Sequence, residues 1–381
     1  MRLIGEEQLD DIALGAAILG TGGGGDPYIG RLLAREAIRA YGPVTMVDVD
    51  EVGADALVIP SAMMGAPTVM VEKLPAGDEI VNAFDRLESF LGRAATHTIS
   101  IEIGGINSMM PFVLAARKGL PIVDGDLMGR AFPELQMCIP GIYGISTSPM
   151  SMADDKGNTA VIDAATNRWT ERMARSVTID FGCVALIALY PLTGSQLQQC
   201  SIPGSVRTAE RLGRLVRETR VSHANVVDAI VEELDGHRLF EGKVVDVHRR
   251  TVEGFARAET VIEGLGLDAG ATLRLHTQNE HLVAERDGTV LASVPDLIFV
   301  LDTETGQPIT TEELRYGFRV TVVAAACDAR WRSDAGLEIV GPRYFGYDFD
   351  FVPVEERLGA SADGLLDMTQ PARAPEESVL T

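Results

Sequence analysis

The sequence is short of basic residues: Lys and Arg total 33 against 55 Asp and Glu, for a formal net charge of −22 and a pI near 4.7. Nucleic acids and anionic membrane surfaces are held mainly by clustered Lys and Arg, and no such cluster stands out, so neither is expected as a partner. Cysteine is scarce too. Cys138, Cys183, Cys200 and Cys327 lie far apart with no C-x-x-C pair, which argues against a disulfide framework or a thiolate zinc site and fits reduced thiols in a cytoplasm. The longest apolar stretch, residues 183–192, contains Pro191 and falls well short of the roughly 20 residues that span a bilayer, so it reads as a buried strand or core helix. The amino terminus turns acidic within its first seven residues and lacks a signal-peptide core, so no export is expected. The histidines show no H-E-x-x-H or H-x-H spacing and no G-x-S-x-G elbow occurs. Zinc-hydrolase and nucleophilic-triad signatures are therefore missing, with Cys138 and Ser61 left as weak nucleophile candidates.

What is present suits packed cores. With 381 residues, 46% hydrophobic and 23% charged, the chain is expected to form two domains. Residues 6–19 carry apolar side chains at helical spacing, and Gly20-Thr-Gly-Gly-Gly-Gly25 stops them. Asp26-Pro27 then starts a second helix through residue 40, because Asp can cap free amides and Pro fits the first helical position. Residues 44–49 and 56–60 read as strands, 78–91 as a helix and 98–103 as a strand. A helix capped by Asn107 or Ser108 follows through Lys118, and a strand begins at 121–123. This is a strand–helix–strand crossover of a parallel sheet. Two helices are expected over 206–218 and from a Ser222 cap to 234. Short β-branched runs follow at 243–247, 251–262, 272–276, 281–285, 290–294, 297–301 and 319–325. The expected fold is thus α/β: an amino-terminal α/β domain (1–165) with a largely parallel sheet and a carboxy-terminal β-rich domain (166–358) fronted by a helical pair. A mobile tail is expected over 359–381, which has no aromatic residue or periodicity.

Chemistry can sit at three places. The glycines Gly22, Gly23, Gly24 and Gly25, with Asp26 and Tyr28 at the following helix start, offer free amides to a phosphate, carboxylate or carbonyl oxygen. Neither G-x-G-x-x-G after a strand nor G-x-x-x-x-G-K-[ST] is matched, so the nucleotide fingerprints fail, and a tight interhelical turn is an equal reading. Second, the crevice beyond the carboxyl ends of parallel strands should gather Glu102 and Asn107 from one strand end, and Asp124, Asp126, Arg130 and Glu134 from its neighbour. Carboxylates one glycine apart can share a proton for acid–base work or, with Glu102, hold a divalent cation. Asp126 as a helix cap and Asp124 as a strand end is the structural alternative. Third, Gln278-Asn279-Glu280 and the run around Arg343 lie among the β strands, where turn and interstrand roles lead, with Arg343 a candidate carboxylate clamp.

The stretches Leu19–Gly30, Val123–Met137, Gln278–Glu280, Pro295–Ile298 and Gly341–Gly346 resemble, in order, the S-methyl-thiohydantoin desulfurase-like family, over about residues 5–357. The resemblance implies an α/β domain followed by a β-rich one. It also implies hydrolytic removal of a methylthio group from a five-membered ring, and a link to hydantoinase and oxoprolinase proteins. Asp124 or Asp126 would activate water, Glu134 would donate a proton, and the Gly22–Gly25 amides would stabilise the anion. Asp26, Tyr28, Asn107, Arg130, Gln278, Asn279, Glu280 and Arg343 would contact a small cyclic amide-type substrate. No cofactor is required by this reading, and a divalent metal on Glu102, Asp124 and Asp126 is an alternative. A non-catalytic accessory subunit of an ATP-dependent hydantoinase- or oxoprolinase-type enzyme is the rival, and the apolar content permits a homo-oligomer.

Overall fold

The computed structural model describes residues 1–65, 75–252 and 255–362. Nine strands among them form one mixed sheet. Its spatial order is Arg2–Ile4, Val44–Val47, Ile122–Val123, His97–Ser100, Leu57–Gly65, Val184–Ala188, Met150–Ala153 and Thr159–Ile162, with Leu192–Thr193 also pairing Leu57–Gly65. Only the three pairings within the block from Val44–Val47 to Leu57–Gly65 are parallel, and every other pairing is antiparallel. The expected parallel crossover is therefore the centre of a sheet extended by antiparallel strands. The apolar stretch at 183–192 supplies Val184–Ala188, a strand with every residue buried, as a continuous apolar run in a sheet covered on both faces requires.

Helices Glu6–Leu19 and Ser205–Val221 join the two halves of the chain at backbone contact. A Cβ on Gly15 would lie 1.8 Å from the Ala209 carbonyl oxygen, and one on Gly213 would lie 1.9 Å from that of Asp11. Glycine at both positions lets the helices touch, and Arg217 then grips Asp11 through two hydrogen bonds of 3.0 Å. The helical pair expected in front of the β domain thus packs on the first helix of the chain. Its second helix, Val226–Glu233, is capped by the Asn225 side chain on the Asp228 amide at 3.2 Å, where a Ser222 cap was expected.

The carboxy-terminal sheet has seven strands among the described residues, all antiparallel, in the order Thr289–Ser293, Glu280–Arg286, Thr272–Gln278, Phe255–Gly264, His237–Val252, Arg319–Ala325 and Leu297–Asp302. The strand expected over 243–247 spans His237–Val252, because a partner on each side completes its hydrogen bonds where its own apolar pattern fades. The expected tail begins inside a helix, Val354–Ala362, whose first amide donates to Asp296 at 3.0 Å. The rest of that segment, 363–381, lies outside the described residues.

Candidate active site

The parallel strands Leu57–Gly65 and His97–Ser100 run side by side as far as the Ser61–Ser100 pair, and the chain after Ser100 leaves the sheet at once. Ser100 fixes that departure by donating its hydroxyl to the carbonyls of Glu102 (2.5 Å) and Asn107 (3.0 Å). The strand expected to run to residue 103 stops here for that reason. Asn107 reaches across to the neighbouring strand: its Oδ1 accepts from the Met63 amide (2.7 Å), and its Nδ2 donates to the Met63 carbonyl (3.1 Å) and to Glu102 Oε1 (2.7 Å). Glu102 is buried with its other oxygen, Oε2, unpartnered. Burial pushes its carboxyl up to about 8, against the opposing hydrogen bonds from Asn107 and the Phe132 amide.

The glycine turn lies against this strand end. Thr21, Gly22, Gly24 and Gly25 have φ of 52°, 84°, 75° and 75°, the left-handed region that glycine enters without steric cost. A Cβ on Gly105 would lie 2.2 Å from the Gly24 carbonyl, and the Ile106 amide donates to that same carbonyl at 2.9 Å. Two glycine turns thus interlock backbone to backbone, which meets the structural reading of the motif. Gly24 and Gly25 nonetheless line a cleft, and their amides have no acceptor among the described residues.

The carboxy-terminal sheet closes the cleft. Asn279, at φ 58°, reverses the chain between two strands, fixed by its side-chain oxygen on the Ala256 amide (2.9 Å). Glu280 follows, fully buried, with Oε2 unpartnered, and a Cβ on Gly23 would fall 2.2 Å from its Oε1. Burial and the nearby Glu102 hold the Glu280 carboxyl far above the usual range. Glu134 also lines the cleft, its Oε2 accepting from the Tyr344 hydroxyl at 2.8 Å and from the Gln136 amide. The cleft therefore gathers Glu102, Asn107, Glu134, Asn279, Glu280, Gly24 and Gly25.

Other expected residues stand elsewhere. Asp124 is buried and ion-paired with Arg207 Nε at 2.8 Å, also accepting the Arg207 amide at 3.2 Å, which ties its strand to helix Ser205–Val221. Asp126 accepts the amides of Ile103, Met128 and Gly129 (3.0, 3.1 and 2.6 Å) on one oxygen, and burial still raises it to about 7. It organises a turn, and no helix starts at Leu127. Neither aspartate lines the cleft. Arg130 spends its buried guanidinium on the carbonyls of Ala131, Pro295 and Asp296 and on the Thr21 hydroxyl, at 2.8–3.0 Å. It staples the two halves and keeps its charge, lowered only to about 10 by burial. Asp26 caps its helix through the Tyr28 amide (2.8 Å), so a carboxylate already occupies that amino end, and both residues line a different groove with Arg31. Gln278 faces a second cleft. Arg343 is exposed and pairs with Asp348 and Asp350, its own neighbours, so it clamps no ligand in the cleft. With Asp124 held by Arg207 and Asp126 by three amides, the Glu102–Asp124–Asp126 metal set is not assembled. Among the described residues no cluster of three His, Cys, Asp or Glu is placed to hold a metal ion.

Sequence reasoning missed Arg175, which lines the cleft. It bonds Glu171 (2.6 Å) one helical turn earlier and lies 4.2 Å over the Phe255 ring. The i, i+4 spacing was visible, but such pairs are usually exposed.

Residues 7–164 match the model of the S-Me-THD-like N-terminal domain and residues 165–354 that of the S-Me-THD-like C-terminal domain. No curated protein matches. Among solved structures, a protein from Chromobacterium violaceum superposes with a TM-score of 0.76 at 23% identity, covering 93% of this chain and 100% of its own, a likeness of fold. No helix among the described residues is long and apolar enough to cross a membrane.

Proposed function

Since the chain belongs to the S-Me-THD-like family by both of its domains, we propose that it is a hydrolase of a small five-membered cyclic amide or ureide-type ring, with S-methyl-thiohydantoin as the first candidate substrate. The observation that carries this reading is the pairing, in one cleft, of buried carboxyls that each keep an unpartnered oxygen, Glu102 and Glu280, with the unengaged amides of Gly24 and Gly25. Hydrolysis at a ring carbon needs a base for water, an acid for the leaving atom, and donors for the charge that develops.

The acid is Glu102, whose carboxyl at about 8 is mostly protonated at neutral pH. The base is Glu134, oriented by Tyr344 and Gln136. The Gly24 and Gly25 amides take the charge that builds on the ring. Water oxygen bonds to the carbon that carries sulfur as one water proton passes to Glu134 and the C=N electron pair moves onto the ring nitrogen. The pair returns as the C–S bond breaks, the sulfur takes the Glu102 proton, and the second water proton moves from oxygen to the ring nitrogen. The products are hydantoin and methanethiol, and proton return from Glu134 to Glu102 through solvent closes the cycle. The base proposed from sequence, an aspartate of the Asp124-Gly-Asp126 run, gives way to Glu134 because neither aspartate lines the cleft.

The test is incubation of the purified protein, without ATP or partner, with S-methyl-thiohydantoin, hydantoin and 5-oxoproline, following product masses by chromatography. Methanethiol with hydantoin supports the desulfurase reading, and a ring-opened product supports a cyclic amidase. No turnover of any, with a ligand-induced thermal shift retained, overturns the hydrolase in favour of an accessory subunit.

A further inference from the structure

A second cleft opens on the carboxy-terminal sheet, and nothing in the proposed reaction uses it. Its wall is built on a cross-strand pair of like charges. Arg250 and Arg257 stand directly opposite each other in the hairpin His237–Val252 and Phe255–Gly264, so both side chains share one face of the sheet. Like charges so placed repel. Neither guanidinium has an ion pair or hydrogen bond among the described residues, and the Nε of Arg257 is buried without an acceptor. Other arginines of this acidic chain find carboxylates, as Arg217 does with Asp11 and Arg332 with Asp296 and Glu355, or backbone carbonyls, as Arg130 and Arg249 do.

The next strand adds Gln278, opposite Arg257, and His276, opposite Glu259. His276 is buried, and its Nε2 has no hydrogen-bond partner, with Glu285 3.8 Å away. The carboxylate of Glu259, the acidic residue in this wall, is engaged by Arg274. The ring of Tyr347 meets the His276 ring edge-on at 6.1 Å and completes the wall. Two guanidiniums without partners among the described residues and the Gln278 side chain thus line one concavity beside the His276 and Tyr347 rings.

We propose that this cleft binds a small oxyanion, a carboxylate or a phosphate, between Arg250 and Arg257, with Gln278 donating beside them and the Tyr347 ring against the body that carries the charge. A planar guanidinium offers forked N–H donors that match either anion, and a bound anion turns the cross-strand repulsion into a bridge.

The test is isothermal titration of the full chain with sodium benzoate and, separately, with sodium phosphate, in chloride buffer. Saturable one-site binding of either probe is expected, with benzoate and phosphate distinguishing the two sources of the charge. Arg257→Gln and Arg250→Gln should each weaken binding about tenfold or more, while Glu102→Gln in the first cleft should leave it unchanged. Arg250 is exposed, so its substitution reads binding without disturbing the fold. No saturable heat with either probe up to about 10 mM, or equal binding by the Arg250→Gln protein, overturns the proposal. Turnover assays of the first cleft do not enter this readout, so the two readings fail separately.

Discussion

Asn107 holds the carboxyl of Glu102 at 2.7 Å while its own amide clasps both backbone groups of Met63 on the adjacent strand. One side chain therefore fixes the position of a buried acid relative to the sheet. The free oxygen of that acid is left for whatever enters the cleft.

Glu102→Gln keeps the shape and removes the proton. If Glu102 is the acid, kcat on S-methyl-thiohydantoin should fall roughly 100-fold or more. The wild-type rate should also decline as pH rises through about 8, where the donor form is lost, and the residual rate of the variant should lack that limb. Asn107→Ala should lower the rate and cost about 1–3 kcal/mol, since it orphans buried groups on Met63. pH–rate profiles of the wild-type and Glu102→Gln proteins and denaturant unfolding of Asn107→Ala read these effects, and an unchanged alkaline limb in Glu102→Gln would remove Glu102 from the reaction.

The same burial makes stability depend on pH. Glu102 and Asp126 have folded values of about 8 and about 7 against ordinary values of 4.5 and 3.8. The folded state therefore holds protons that the unfolded chain has released, and stability falls as pH rises from the ordinary values through the folded ones. Between about pH 4 and 8 the loss should be on the order of a few kcal/mol. Thermal midpoints taken across that window should decline, and Glu102→Gln should flatten the upper part of the decline. A wild-type midpoint that rises steadily from pH 5 to 8 contradicts it.

Gly23 and Gly105 should respond differently to alanine. At Gly105 the new carbon would meet the Gly24 backbone at 2.2 Å, and φ is 54°, so nothing nearby can yield and the loss should exceed about 2 kcal/mol. At Gly23 the clash is with the Glu280 side chain, at 2.2 Å from Oε1. Gly23→Ala should therefore cost about 1–3 kcal/mol alone and much less beside Glu280→Ala. Denaturant midpoints of the four proteins of that cycle check it, and simple additivity refutes the contact.

How far the sequence carried can be judged at these residues. Helical spacing before the glycines, the Asp26-Pro27 start and the β-branched runs located the elements because each signal is local. Glu102, Asn107 and Glu134 could be brought toward one crevice because a parallel crossover dictates where strand ends open, whereas Gly24 and Gly25 joined them only through the family resemblance. The antiparallel strands that extend the sheet could not be seen, since pairing between residues 57–65 and 184–188 leaves no local trace. Nor could the sequence show which way Asp124 and Asp126 point. Both sit at the right strand end, yet Arg207, more than 80 positions away, captures one and backbone amides capture the other. Arg343 finds its partners five and seven residues on, an arrangement that spacing alone leaves open.

Asp124 provides the sharpest separation between motif and mechanism. Its place in the Asp124-Gly-Asp126 run suggests a catalytic base, while its ion pair to Arg207 and its hydrogen bond to the Arg207 amide make it an anchor for helix Ser205–Val221. Asp124→Asn keeps an oxygen for the amide and removes the charge opposite a half-exposed guanidinium. Stability should drop by about 1 kcal/mol or somewhat more, while kcat on a turned-over substrate stays within about twofold. Arg207→Ala should reproduce the stability loss, and the double variant should lose less than the sum, as residues sharing one contact do. A fall in kcat of about 100-fold in Asp124→Asn, with Arg207→Ala unaffected, would instead return the aspartate to the chemistry and require the cleft to extend to it.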